Sequence, residues 1–429
     1  MKRVLLIQPQ EKNGARWAFY PPSGLLSLAT VLNHEGYKVE LIDVLSEGST
    51  NADIQKRLRN FQPECVGISI NTMLLDHAVE LAQLSREVLP ESVIIAGGPH
   101  VTCVKEEIFC EIPCLDAAFI GEAEETFPLF LRSGQQGKIH GVIWKGEKFS
   151  GDIPFIDDIE KLPTPDFRLV RMDQYYGFQH QAKRPTAYIN CSRGCYYNCY
   201  FCSNPVRKRP VRFRSVESVI NELVSLKSRH NVQEVFFMDD MLNSNLKWAE
   251  QVFHAIIEHG LNRQMRFVMQ FRANERITPP WLFELAARAG VYCVIFGVES
   301  GSQKILDRTN KKLKVAEIER AFDLASKSGL ITVASLILGL PGEDEESIAE
   351  TVRLVQKIRP SVTGLGFATP LPGTELREQY LKEGRLLQQD YRNYSFCRCI
   401  VRTESLTRQQ LTEKYQDLFE AFSLQHIVE

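Results

Sequence analysis

The chain contains no run of 18 or so apolar residues, so no transmembrane helix is expected. Its first residues, MKRVLLIQPQ, hold too short an apolar stretch for a secretory leader and read as a β-strand. Net charge is almost absent: 51 Lys and Arg against 53 Asp and Glu leave −2, which argues against a broad nucleic-acid surface. There is no internal repeat of roughly 20 to 50 residues and no low-complexity tract, which argues against a solenoid. Cysteine, by contrast, is plentiful at 11 residues. Without a leader, that number points to a reducing compartment, the cytoplasm, where thiols stay free or ligate metal. At 429 residues the chain can bury two or three separate cores.

Two stretches alternate between strand and helix patterns. In the first 140 residues, RVLLIQP, YKVELID, ECVGISI, SVIIAGG and LDAAFIG read as buried parallel strands. Helical segments lie between them at 23–34, 52–61, 76–88 and 104–111, with Ala78, Val79, Leu81, Ala82 and Leu84 forming one apolar face. Five such β-α units predict a doubly wound, flavodoxin-like sheet. From Gly141 the pattern breaks: GVIWKGEKF suggests a short hairpin, and the Pro- and Asp-rich IPFIDDIEKLPTPDF a linker over 141–184. Alternation resumes over 185–384 with TAYIN, EVFFMDD, MRFVMQF, YCVIFGVES, TVASLILGLP and VTGLGFATP. Six strands joined by long helical segments suit a partial (β/α)6 TIM-type barrel, whose ligands gather at the strands' carboxyl ends. Residues 385–429 form a polar extension with a helix near 408–424.

Directly after the first of these strands comes CSRGCYYNCYFCSN, which places Cys195, Cys199 and Cys202 with three and then two residues between them. Three thiolates so close can hold three irons of a [4Fe–4S] cluster, which normally takes four Cys ligands, and leave one iron open. The alternatives are a structural zinc site or a disulfide pair. Zinc sites usually use four protein ligands, and no second C-x-x-C or H-x-x-x-H completes this one. The spacing resembles the radical S-adenosylmethionine (radical SAM) superfamily. That resemblance implies that the open iron chelates the amino and carboxylate groups of S-adenosylmethionine, whose reductive cleavage gives methionine and a 5′-deoxyadenosyl radical. It also implies an oxygen-sensitive protein served by an external flavodoxin- or ferredoxin-type electron donor.

Later strands carry the resemblance further. Asp239 and Asp240 in MDD match the position of the acidic motif that meets the cofactor's amino group; two adjacent acids are also common turn formers. Arg272 in QFRANERI suits a carboxylate, its alternative being a surface ion pair. In FGVESGSQ, a run common in the cobalamin-linked branch, Glu299 can accept from both ribose hydroxyls and Ser300 adds a polar contact. Gly339 in LILGLPGE lets the backbone approach adenine, and Phe201 matches an aromatic residue that lies against adenine or shields the cluster. ATPLPGTEL is a further familiar run.

The amino-terminal segment resembles the cobalamin-binding domain that precedes many such barrels, through PPSGLLSLATVLNHEGYKVELID, VGISI, AGGPHVT and FIGEAEETF. Candidate cobalamin contacts are Ser69, Gly97, Gly98, Gly121 and Glu122, all at strand ends. One departure stands out: the Asp-x-His-x-x-Gly loop that supplies a histidine to cobalt is missing, and His100 in GGPH reads as a polar contact or turn residue. The resemblance covers residues 1 to 385 and implies a cobalamin-dependent methyltransferase acting on an unactivated carbon, or a phosphinate, of a small-molecule or peptide substrate. Alternatives of the same architecture are a cyclase or rearrangement enzyme; a non-catalytic sensor is the rival from another class. Among the other cysteines, Cys65 and Cys293 read as core, and Cys397-x-Cys399 as a coincidence.

Overall fold

A computed structural model of the protein describes residues 2–11, 18–133, 138–177, 182–203 and 210–424. The chain forms two compact units: one holds residues 1–188 with 206–212 and 390–393, the other 189–205, 213–389 and 394–429.

The first unit is built on a six-stranded sheet in which Lys38–Asp43, Arg3–Gln8, Cys65–Ser69, Val93–Gly97, Ala117–Phe119 and Val142–Trp144 lie in that spatial order. The first five run parallel, which is the doubly wound arrangement expected from the sequence. Its strands are buried on both faces because one apolar cluster, including Ile7, Ile68, Ala82 and Val101, covers one side. A second cluster, including Leu6, Ala29, Phe119 and Phe130, covers the other. Expected helices appear at Ser23–His34, Asn51–Phe61 and Leu75–Val88.

Two local expectations change. The helix placed at 104–111 starts earlier, at Pro99–Val104, because proline is favoured in a first helical turn; it then breaks at Lys105 (φ +55°) before resuming at Ile108–Glu111. The stretch GVIWKGEKF makes no hairpin with itself. Val142–Trp144 instead pairs antiparallel with Ala117–Phe119 and closes that edge of the sheet. The Pro-rich stretch that follows belongs to this unit. Tyr175 at its end is buried and donates to Asp43 at 3.0 Å.

In the second sheet the strands lie in chain order: Thr186–Ile189, Glu234–Phe237, Arg266–Phe271, Val291–Glu299, Ile331–Leu338 and Val362–Phe367. The pairs from Glu234 onward are parallel and are crossed over by helices, as in an open six-stranded barrel. At the foot of its strands Glu234, fully buried, accepts from Arg266 Nε (3.0 Å) and the Tyr292 hydroxyl (2.9 Å). The last strand is covered by the carboxyl-terminal extension: Phe367 N–H donates to the Phe396 carbonyl, and Tyr415 of helix Arg408–Leu424 stacks on Phe367 at 4.5 Å. No helix among the described residues is long and apolar enough to cross a membrane.

Candidate active site

The cysteine loop leaves the first barrel strand at its carboxyl end, and its entry is held by a buried carboxyl. Asp239, at the end of the second strand, accepts from the Ser192 hydroxyl (2.5 Å) and from the Ser192 N–H. Burial lifts this carboxyl to about 7, against the bonds from Ser192, which favour its charged form. Between the ordinary 3.8 and about 7 the unfolded chain is therefore ionised while the folded chain keeps the proton. The folded state binds more protons there, so stability falls as pH rises through that window. Asn can accept the same bonds without titrating. An Asp239→Asn variant is expected to lose less stability than the parent between about pH 4 and about pH 7, by on the order of a few kcal/mol. Urea unfolding curves with the same pH dependence for both proteins would refute this.

Asp239 and Asp240 thus divide their tasks. Asp239 turns inward as an anchor; Asp240 is exposed and lies near enough to Cys195 to oppose its ionisation. Within the loop Gly194 takes φ +98°, Cys199 is buried, and Cys195 and Cys202 are half-buried. None of the three is in a disulfide, and Cys202 N–H closes a turn on the Cys199 carbonyl at 3.0 Å. Burial raises the Cys195 thiol, partly offset by the Tyr197 N–H. Among the described residues no three His, Cys, Asp or Glu side chains converge on a single metal ion. Three thiols on one short loop that do not converge on a single ion fit a cluster, with one iron to each, better than a tetrahedral zinc.

Two cations stand by this loop. Arg272 lies 3.5 Å from the ring centre of Tyr197, between the first two cysteines, and is fixed through Asn243, which accepts its N–H at 2.9 Å, and Asn274. Lys311 lies 5.8 Å from the Phe201 ring and 2.6 Å from Glu299 Oε1. Positive charge suits a loop of thiolates carrying an anionic cluster, and Arg272 retains donors for a carboxylate.

Glu299 ends the fourth strand in the left-handed region (φ +65°), where the register with the fifth strand slips. A non-glycine residue there is strained, and strain of this kind gathers at functional sites. The carboxylate folds back over Gly297, where a Cβ would come within 2.5 Å of Glu299 Oε1 and 3.1 Å of Lys311 Nζ. Gly297→Ala must therefore displace this pair. We expect the variant to fold and load its cluster yet bind S-adenosylmethionine about tenfold or more weakly; unchanged affinity in equilibrium binding would show that the carboxylate is not placed by this gap.

Other candidates make these contacts within the fold. The Ser300 hydroxyl accepts from Ser302 N–H (3.2 Å) and meets Thr351 (3.3 Å), while Gly301 has no room for a Cβ against Thr351 Cα at 2.5 Å. Gly339 (φ +92°) has both backbone groups engaged: its N–H bonds the buried Glu343 and its carbonyl the Tyr380 hydroxyl (2.7 Å). Gly339 thus contributes a turn rather than free hydrogen-bonding groups. In the first unit Gly98 is squeezed against Ile70, whose carbonyl would lie 2.8 Å from a Cβ, and Gly121 against the Pro154 carbonyl at 2.1 Å. Glu122 is a buried partner of Arg212 (2.8 and 2.9 Å) and accepts from Ile156 N–H. Ser69 and Gly97 remain half-buried at adjacent strand ends, paired in register, and a Cβ on Gly97 would meet only Phe119. His100 is buried, one ring nitrogen on Thr72 (3.0 Å) and the other on Glu111 (2.8 Å), so it offers no lone pair to cobalt. Cys397 is exposed and Cys399 buried.

Lys311 escaped the sequence reading. Its signal was available in TNKK, a lysine pair 12 residues beyond Glu299, but nothing local says which lysine turns inward.

A barrel whose first strand delivers three thiols to its carboxyl-terminal face, beside a strained acid and two cations, defines a radical SAM catalytic domain. Comparison with known proteins agrees: residues 18–131 match the B12 binding domain and residues 189–355 the radical SAM superfamily. The chain is 30% identical over 438 aligned positions to an uncharacterized methyltransferase of Pyrococcus horikoshii, covering 99% of this chain and 93% of that one. It is 25% identical to an anaerobic magnesium-protoporphyrin IX monomethyl ester cyclase of Rubrivivax gelatinosus (98% and 77% covered). Its fold matches that of the radical S-adenosylmethionine methyltransferase TsrM from Kitasatospora setae, solved with cobalamin and a [4Fe–4S] cluster, with TM-score 0.75, 17% identity and coverage of 97% and 85%. The chain belongs to the radical SAM superfamily, in the branch that carries an amino-terminal B12-binding domain.

Proposed function

We propose that this enzyme is a cobalamin-dependent radical SAM methyltransferase acting on an unactivated carbon. The observation that carries the reading is the three-thiol loop beside Glu299, Arg272 and Lys311. When bound, the cluster would supply the electron that cleaves S-adenosylmethionine to a 5′-deoxyadenosyl radical, and cobalamin the carrier for the methyl group. Cys195, Cys199 and Cys202, as thiolates, hold three irons. Asp240 attracts the amino group of S-adenosylmethionine, Arg272 its carboxylate, and Glu299 accepts from the ribose hydroxyls. Phe201 lies against adenine, and the Gly339 turn sets the backbone there. In the first unit Ser69 and Gly97 are the strand-end contacts for cobalamin. A small-molecule or peptide substrate and an external flavodoxin- or ferredoxin-type donor complete the reaction.

Methyl transfer is favoured by the 30% likeness along nearly the whole chain to a methyltransferase. Oxidative cyclisation without methyl transfer is the second reading, favoured by the 25% likeness to a cyclase. Anaerobic reconstitution with iron, sulfide and hydroxocobalamin, followed by reductant and methyl-labelled S-adenosylmethionine, separates them. We expect 5′-deoxyadenosine, S-adenosylhomocysteine and label in the cobalamin fraction. 5′-Deoxyadenosine with the label only in methionine, none in cobalamin and no S-adenosylhomocysteine, would favour cyclisation instead.

A further inference from the structure

The segment Thr309–Lys312 follows helix Gln303–Arg308 and is bent into a conformation that side chains resist: Asn310 and Lys312 each take φ +52°. A lysine in that region persists only where its surroundings hold it. Here the surroundings are the candidate site. The Thr309 carbonyl accepts from Tyr200 N–H (3.0 Å), inside the cysteine loop. Asn310 Nδ2 donates to the Asn198 carbonyl (2.7 Å) in the same loop. The Lys312 carbonyl accepts from Asn274 Nδ2 (2.8 Å) and Arg272 Nη2 (3.4 Å). Between these ties the chain turns Lys311 inward to 6% exposure, onto the Glu299 carboxylate. A buried ammonium is costly unless paired, and a buried carboxylate deprived of its cation is more so.

We propose that Lys311 is a positioning residue for S-adenosylmethionine binding. It fixes one oxygen of Glu299, and the left-handed turn around it ties that carboxylate to the loop bearing Cys195, Cys199 and Cys202. One strained segment thus sets the distance between ribose acceptor and cluster ligands. The inference rests on the reading that Glu299 accepts the ribose hydroxyls.

The test is equilibrium binding of S-adenosylmethionine to the full-length, cluster-loaded protein without reductant, so that no cleavage occurs. Iron and sulfide content is measured on each preparation. Lys311→Met is expected to weaken binding about ten- to a hundredfold at unchanged cluster content, the range of a charged hydrogen bond. Glu299→Gln should weaken it similarly, and the double variant no further than Glu299→Gln alone, because Lys311 acts only through that carboxylate. Lys311→Arg, which keeps the cation if Lys311→Met fails to load a cluster, should recover most of the affinity. Additive losses in the double variant would mean that Lys311 meets the ligand itself, and would overturn the proposal. So would parental affinity in Lys311→Met, or Lys311→Arg as weak as Glu299→Gln. Parental affinity in Glu299→Gln with a full cluster would instead remove the reading of Glu299, and the proposal with it.

Discussion

Cys199→Ala is expected to purify anaerobically as a folded protein without the cluster's visible absorbance, and to form no detectable 5′-deoxyadenosine after reconstitution. The side chain is small, and replacing a buried thiol by a methyl group costs little in packing, on the order of 1 kcal/mol. What disappears is one of three anchors. A cluster that already has one open iron cannot give up a second without losing its grip on the protein. Cys191 is the control. It lies four residues before Cys195, is fully buried, and burial pushes its thiol well above the ordinary value, with Asp239 adding to the effect. The thiolate is the form that binds iron, so Cys191→Ala should keep the cluster. Anaerobic iron analysis and absorbance spectra of the two variants decide the matter. A full cluster in Cys199→Ala, or its loss in Cys191→Ala alone, would falsify the ligand assignment.

The second large effect falls in the first unit. Glu122→Ala leaves the Arg212 guanidinium buried without its carboxylate, since both side chains are only 8% exposed and share two bonds. Breaking a buried pair from one side costs about 3–5 kcal/mol, chiefly through the stranded charge. Ile156 N–H loses its acceptor as well. Stability of the first unit is expected to fall by that amount, with faster amide exchange over 117–122 and 153–156. The double variant Glu122→Ala/Arg212→Met should recover much of the loss, because it removes the uncompensated charge. Exchange rates in Glu122→Ala that match the parent would mean that water or another group takes over the guanidinium.

Both predictions show where local sequence ran out. Cys195, Cys199 and Cys202 are legible because their ligand chemistry is a matter of spacing along one loop. Glu122 is not, because its partner lies 90 residues away, and a strand-end acid beside a glycine looks alike whether it serves a ligand or an arginine. The same holds for His100: nothing in GGPH announces Thr72 and Glu111, which take up both ring nitrogens.

By itself the sequence determined the two β-α blocks, the strand order of chemistry along the second block, and the three-thiol loop at its first strand end. These are properties of period, run length and near-neighbour spacing, which need no knowledge of distant partners. Only the tertiary structure decided the rest. It joined Val142–Trp144 to the first sheet, turned Asp239 inward and left Asp240 exposed, gave Gly98 and Gly121 to close backbone contacts, and brought Lys311 onto Glu299. The physical reason is common to all of these. A polar side chain's role is fixed by which group satisfies it once water is removed, and burial is decided by how segments far apart in the chain come together.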